Sequence, residues 1–199
     1  MARVVLRFSM SLDGYAAGPN VSARDAMGVG GDRLHEWMFP REPGSDGVNP
    51  TDAEQVRRSF ESTGAVILGR RTYDLGLQHW NDTPFPAPSF VLTHNPRPDQ
   101  QMKSAAFHFV TDGVESVVRQ AKAAAGDGDV TVMGASTAQQ ILRSGLADAL
   151  VINLVSVMLC GGTRLFDRIG DAHIELRCSK VAAGSPDVTH LEFDVLNQA

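Results

Sequence analysis

The chain has 199 residues, a formal net charge of −5 and a hydrophobic share of 43%, enough apolar material for a core of its own. A domain of this size buries roughly 70% of the surface its unfolded chain exposes, so it folds without a metal or disulfide staple. Mild acidity, with no Lys/Arg run interleaved with aromatics, argues against nucleic acid or an anionic membrane surface as partner.

The two cysteines, Cys160 and Cys178, are too few for a disulfide framework and lack zinc-ligand spacing, so they read as reduced thiols. No apolar run approaches the ~20 residues needed to span a bilayer, and the first residues lead straight into strand-like sequence without a signal-peptide layout. The expectation is a soluble, cytoplasmic protein, a single domain over residues 1–199. In such a protein the sequons at Asn20 and Asn81 carry no glycan.

In chain order, residues 4–10 form the first short β-branched and aromatic run, read as a strand. Residues 14–49, rich in Gly and Pro, have no clear period, and long loops inside compact domains are usually functional. Within them, residues 31–39 suggest a short amphipathic helix capped by Asp32 that packs Leu34, Trp37 and Met38. Thr51 and Glu54 have capping-box spacing and predict a helix from near Pro50 to near Gly64. Strands follow at 65–68, 89–93 and 107–111, and Tyr73 is a plausible helix start after the first of these.

Asp112 and Glu115 repeat the capping device ahead of an apolar stripe through Val114, Val117, Val118 and Ala121, which stops at Gly126. A strand at 129–133, a helix at about 136–144 capped by Ser136, and an almost continuously apolar strand at 149–159 come next. Residues 173–181 and 188–196 read as a hairpin closed by the turn Gly184-Ser185-Pro186-Asp187. Alternation of helices and strands predicts an α/β fold with a largely parallel sheet and an antiparallel end.

Three strand ends carry candidate ligand chemistry. Gly69-Arg70-Arg71-Thr72 offers backbone N–H groups at a strand-to-helix turn with two guanidiniums for bidentate phosphate recognition. Gly134-Ala135-Ser136-Thr137 is a second small-residue turn of the same kind, although no GxGxxG is present. Thr93-His94-Asn95 sets a hydroxyl, an imidazole and an amide before a proline. Each has an ordinary structural reading alone, as a solvated Arg pair or a plain turn. Ligands of open α/β sheets nevertheless collect outside the carboxyl ends of parallel strands, and one extended phosphate-bearing ligand would touch all three. Arg70, Arg71, Thr93 and His94 suit an extra ribose phosphate, which favours NADP over NAD.

These motifs, together with the opening Phe8-Ser9-Met10-Ser11-Leu12-Asp13-Gly14-Tyr15 and the run from Leu159 to Phe166, resemble the dihydrofolate reductase-like superfamily. The branch they resemble is named for the C-terminal reductase domain of the bifunctional riboflavin-biosynthesis deaminase-reductase. The resemblance covers nearly the whole chain. It implies a mixed, mostly parallel sheet flanked by helices with a C-terminal hairpin, NADPH as cofactor, and a homodimer. It places Gly69, Arg70, Arg71 and Thr72 over the pyrophosphate and 2′-phosphate, Thr93, His94 and Asn95 at the adenosine phosphate, and Gly134, Ala135, Ser136 and Thr137 under the pyrophosphate. Gly161 falls at the nicotinamide end. The chain departs from the family at Ala135 and Cys160, where glycine is common, and at Ser156, where proline is.

For the chemistry, Asp13 is placed to bond the cofactor amide, bind substrate or relay a proton, or only to form an Asx turn with Gly14. His35 and Glu36 would give polar contacts beside aromatics that stack on a flat heterocycle. His173-Ile174-Glu175 has the H-x-E form without the PCxxC of a zinc deaminase, and no metal is expected. The expected function is NADPH-dependent hydride transfer to a small, flat heterocycle of pyrimidine or pterin type. The alternative is a nucleotide-binding or dimeric scaffold that keeps the fold without turnover.

Overall fold

The computed structural model describes residues 2–39 and 49–196. Its main sheet has nine strands in the order β10-β11-β8-β1-β7-β3-β4-β6-β5. The six central strands are parallel: β8 (Ala149–Val155), β1 (Val4–Ser11), β7 (Asp129–Met133), β3 (Thr63–Gly69), β4 (Ser89–Leu92) and β6 (Ala106–Val110). The hairpin β10 (Leu176–Ala183) and β11 (Val188–Val195) adds to β8 antiparallel, and the two-residue β5 (Gln100–Gln101) closes the far edge antiparallel to β6. This is the mixed, mostly parallel architecture with a terminal hairpin that the sequence predicts. A separate antiparallel pair, β2 (Tyr15–Ala17) with β9 (Thr163–Arg164), is too short to show in the apolar period.

Helices α3 (Val114–Ala124) and α4 (Ala135–Arg143) cover one face of the sheet. Their Val117, Ala121, Ala138 and Ile141 form one core with Leu6, Ile67, Val132 and Ile152. On the other face α2 (Arg70–Trp80) seals a smaller core of Val66, Leu68, Tyr73, Val91 and Phe107. Next to it α1 (Pro50–Ser62) packs Val56 against a third cluster of Leu34, Trp37, Val155 and Val188.

Several boundaries differ from expectation for identifiable reasons. The long strand stops at Val155 rather than residue 159, because Val157 N donates to Val155 O at 2.8 Å in a tight turn that takes the chain out of the ladder. The cap of α1 is Asn49, whose Oδ1 accepts from Thr51 N at 2.9 Å, so Thr51 is inside the helix with Pro50 at its first position. No side-chain cap forms on α3, which is preceded by Gly113 at φ +94°; Asp112 instead accepts from Ser116 Oγ at 3.3 Å. Likewise Gly134 occupies the cap position of α4, and Ser136 is an exposed residue inside the helix. Residues 31–38 form two short 3₁₀ turns, with Leu34 and Trp37 buried as the amphipathic reading requires.

Candidate functional site

Strand β3 leads through α2 to β4 on one side, whereas its neighbour β7 leads through α4 to β8 on the other. Right-handed crossovers running in opposite directions put the two helices on opposite faces and open the sheet edge between β7 and β3, a topological switch point. The turns Gly69 to Thr72 and Gly134 to Thr137 meet there.

Their glycines are required by each other's threonines. A Cβ on Gly69 would lie 2.7 Å from Thr137 Oγ1, and one on Gly134 would lie 2.3 Å from Thr72 Oγ1. Gly134 also has φ +86° and ψ 124°, a conformation that side chains other than hydrogen rarely adopt. Neither helix has a side-chain cap, in contrast to α1, so the first N–H groups of α2 and α4 leave donors for an anion at one place.

Cationic groups flank this edge. Arg70 Nε lies 2.9 Å from both oxygens of Asp74, and its guanidinium lies 5.8 Å from the centre of the Tyr73 ring. Arg97, which the sequence reading did not single out, lies 5.5 Å from the same ring and 4.7 Å from that of Phe109. Two guanidiniums thus converge on one aromatic platform held by α2 and β6. Arg71 donates to Val21 O at 3.2 Å, tying the start of α2 to the loop after β2. Thr93 is buried, and its Oγ1 accepts from Asn95 N at 3.2 Å, which leaves the exposed His94 and Asn95 at the end of β4 beside the Arg97 segment.

The other half of the edge lies at the ends of β1 and β8. Asp13 Oδ1 accepts from Ser11 Oγ at 2.6 Å and Leu159 N at 3.1 Å, and Oδ2 accepts from Cys160 N at 2.8 Å. The Ser11 hydroxyl first, then the two backbone N–H groups, hold the Asp13 carboxyl below the usual range against a partial desolvation penalty. It is an ionised clamp that fixes the loop containing Gly161 and holds Cys160 at φ +57°. Arg164 stacks on Tyr15 at 4.6 Å, and Gln139 Nε2 donates to its carbonyl at 2.9 Å, so the clamped loop is also tied to α4.

His35 and Glu36 sit in the 3₁₀ segment that covers these strand ends. Trp37 Nε1 donates to Ser9 Oγ at 3.1 Å and Leu34 O at 3.0 Å, seating the segment on β1. His35 Nδ1 is buried and has no partner among the described residues; burial pushes its imidazole below the usual histidine range, with Asp32 opposing. Glu36 pairs with Arg33, whose other nitrogen donates to Asp187 Oδ2 at 3.2 Å, so this carboxylate is engaged on the hairpin side. The turns at Gly69 and Gly134 therefore come together, and Asp13 joins Gly161 through its loop. Among the described residues no side-chain hydrogen bond or ion pair joins Asp13, His35 and Glu36 to one another.

No set of three or more His, Cys, Asp or Glu side chains among the described residues is arranged to hold a metal. Among them no helix is long and apolar enough to cross a membrane.

Comparison with known proteins agrees with this architecture. The family model described as the RibD C-terminal domain matches residues 2–190. A candidate riboflavin biosynthesis protein from Shewanella sp. PV-4 is 23% identical, with a TM-score of 0.74 over 98% of this chain and 99% of that one. A pyrimidine reductase-like protein from Corynebacterium diphtheriae is 11% identical, with a TM-score of 0.66 over 99% and 93% of the two chains. A diaminohydroxyphosphoribosylaminopyrimidine deaminase/5-amino-6-(5-phosphoribosylamino)uracil reductase from Thermotoga maritima is 13% identical, with a TM-score of 0.66; 98% of this chain matches 57% of that one. No curated protein matches the chain significantly.

Proposed function

The chain belongs to the RibD C-terminal domain family, and on that premise we propose that it is an NADPH-dependent reductase of a small, flat heterocycle of pyrimidine or pterin type. The observation that carries this reading is the pair of uncapped glycine turns at the switch point, flanked by Arg70 and Arg97. The residues present fit a phosphorylated dinucleotide. Donors at the starts of α2 and α4 suit a pyrophosphate, and the close packing at Gly69 and Gly134 keeps the backbone accessible. Arg70 and Arg97, with His94 and Asn95 at the end of β4, suit a ribose 2′-phosphate.

Bound NADPH supplies a hydride to an electrophilic carbon, while a proton goes to the neighbouring heteroatom. The chain's own contribution is orientation and exclusion of water. Asp13, with its oxygens occupied by N–H and O–H donors, holds the loop at Gly161 and is not a proton source. With Nδ1 enclosed, His35 has only its other ring nitrogen to offer the edge of a heterocycle, and burial disfavours the charged imidazolium. Leu12 and Met158, both 64% exposed at the ends of β1 and β8, supply apolar contact for a planar ring. A homodimer is part of the same reading, supported by β10, which is exposed along most of its length at the sheet edge.

The test is a titration of the purified protein with NADPH and NADH by fluorescence and melting temperature. A screen of aminouracils and pterins for loss of nicotinamide absorbance then follows. Preferential binding of NADPH with substrate-dependent oxidation is the expected result. Absence of binding by either nucleotide at millimolar concentration refutes the reading and leaves a scaffold with the same fold.

A further inference from the structure

Beneath the 3₁₀ segment lies a polar chain that no step above uses. His190, 1% exposed on β11, has Nδ1 2.8 Å from Asn153 Oδ1 on β8 and Nε2 2.7 Å from Asp52 Oδ1 on α1. Asp52 is itself fully buried and accepts from Ser185 N in the hairpin turn, with 3.1 Å to Oδ2. The fit at the turn is tight: a Cβ on Gly184 would lie 1.9 Å from Asp52 Oδ1 and 2.8 Å from His190 Nε2. The imidazole also meets the Trp37 ring edge-on, with centroids 5.0 Å apart. Trp37 in turn is fixed to Ser9 and Leu34 by its indole N–H.

A buried ionisable pair adds little net stability over an apolar replacement, but parting its members is costly because it strands one of them, so it resists separation of the elements it joins. Here those elements are α1, β8, the turn and second strand of the hairpin, and the 3₁₀ segment. We propose that Asp52 and His190 are positioning residues that, through Trp37, hold residues 31–38 over the ends of β1 and β8. They thereby set the place of the His35 imidazole. That this place is the substrate half rests on the reductase reading, whereas the latch itself does not.

Hydrogen exchange of the His35, Met38 and Phe39 amides reads the segment directly, because these donate to Asp32 O, His35 O and Glu36 O within it. His190→Gln is expected to accelerate these amides at least tenfold more than those of β3. It should also move the NMR titration of His35 up toward the ordinary histidine range as the ring becomes solvated; Asp32 is the acidic neighbour acting on that ring. The NADPH titration is expected to stay within twofold of the parent. Unchanged exchange at residues 35–39, or acceleration shared equally by β3 and α3, overturns the proposal. Should His190→Gln fail to fold, Trp37→Phe keeps a ring beside His190 but removes the bonds to Ser9 and Leu34. The same regional acceleration is expected from it, and its absence is equally decisive. If the parent binds no NADPH, the reductase reading fails, and these exchange rates still decide the latch.

Discussion

Replacing Gly134 by alanine tests the interlocked turns most directly. The new methyl would sit 2.3 Å from Thr72 Oγ1, an overlap that costs about 1–3 kcal/mol as the neighbours shift. At φ +86° and ψ 124° the alanine backbone adds roughly 1–3 kcal/mol of strain. The stiffer unfolded chain returns only about 0.4–1 kcal/mol. A net loss of about 1–6 kcal/mol lowers the melting temperature by roughly 2–24 °C for a chain of this length. Gly69→Ala is the internal control. Its methyl would approach Thr137 Oγ1 at 2.7 Å, but φ −82° is ordinary for alanine, so about 0–2 kcal/mol is expected. Urea unfolding of the two variants, and of Gly134→Ala combined with Thr72→Ala, separates the contributions. The second substitution should recover the overlap and leave the backbone strain. Equal losses at the two glycines, or no recovery without the Thr72 hydroxyl, would refute the reasoning.

Three further outcomes are expected. Arg97→Ala should weaken NADPH binding about tenfold, roughly 1.4 kcal/mol, and NADH binding much less, as measured by parallel fluorescence titrations. Asp13→Asn should speed hydrogen exchange at the Leu159 and Cys160 amides. Because the folded carboxyl lies below its unfolded value, its stabilisation is complete above the unfolded pKa and disappears as pH falls through the folded one; exchange of those two amides followed down an acid series checks the sign. Light scattering coupled to size exclusion should give twice the chain mass, and Val181→Glu, at a residue 63% exposed on β10, should reduce it to one chain.

Much of this was legible before the structure, and the exceptions have physical causes. Short β-branched and aromatic runs bounded by turn residues located all the strands longer than three residues, and burial on both faces of the parallel centre made the run at β8 almost continuously apolar. Strand pairs as short as Tyr15–Ala17 with Thr163–Arg164 owe their existence to neighbouring loops, and two or three residues carry no period. The helix caps misled because capping-box spacing is local, whereas the starts of α3 and α4 are set by glycines at positive φ. At the site, Gly69 and Gly134 were recognisable as turns, but the reciprocal contact with Thr137 and Thr72 depends on which strands are adjacent. Arg97 escaped notice between Pro96 and Pro98, where only the fold brings it onto Tyr73 and Phe109. His190 looked like one more strand residue, since its partners Asp52 and Asn153 are 138 and 37 positions away.

The central place of β1 also bears on how the chain is made. Val4 pairs with Val130 on one side and Val5 with Ala149 on the other, so β1, made before the other strands of this sheet, cannot be flanked on both sides until β8 appears. At about 5–20 residues per second, an apolar segment leaves the ribosome and waits roughly 6–25 s for its neighbours. During that interval β3, α2, β4 and β6 can assemble among themselves through contacts close in sequence, while β1 is exposed to wrong pairing. Such a molecule is expected to depend on holding factors during translation more than its final stability would suggest, and to refold from denaturant more readily than it tolerates amino-terminal fusions that delay insertion of β1.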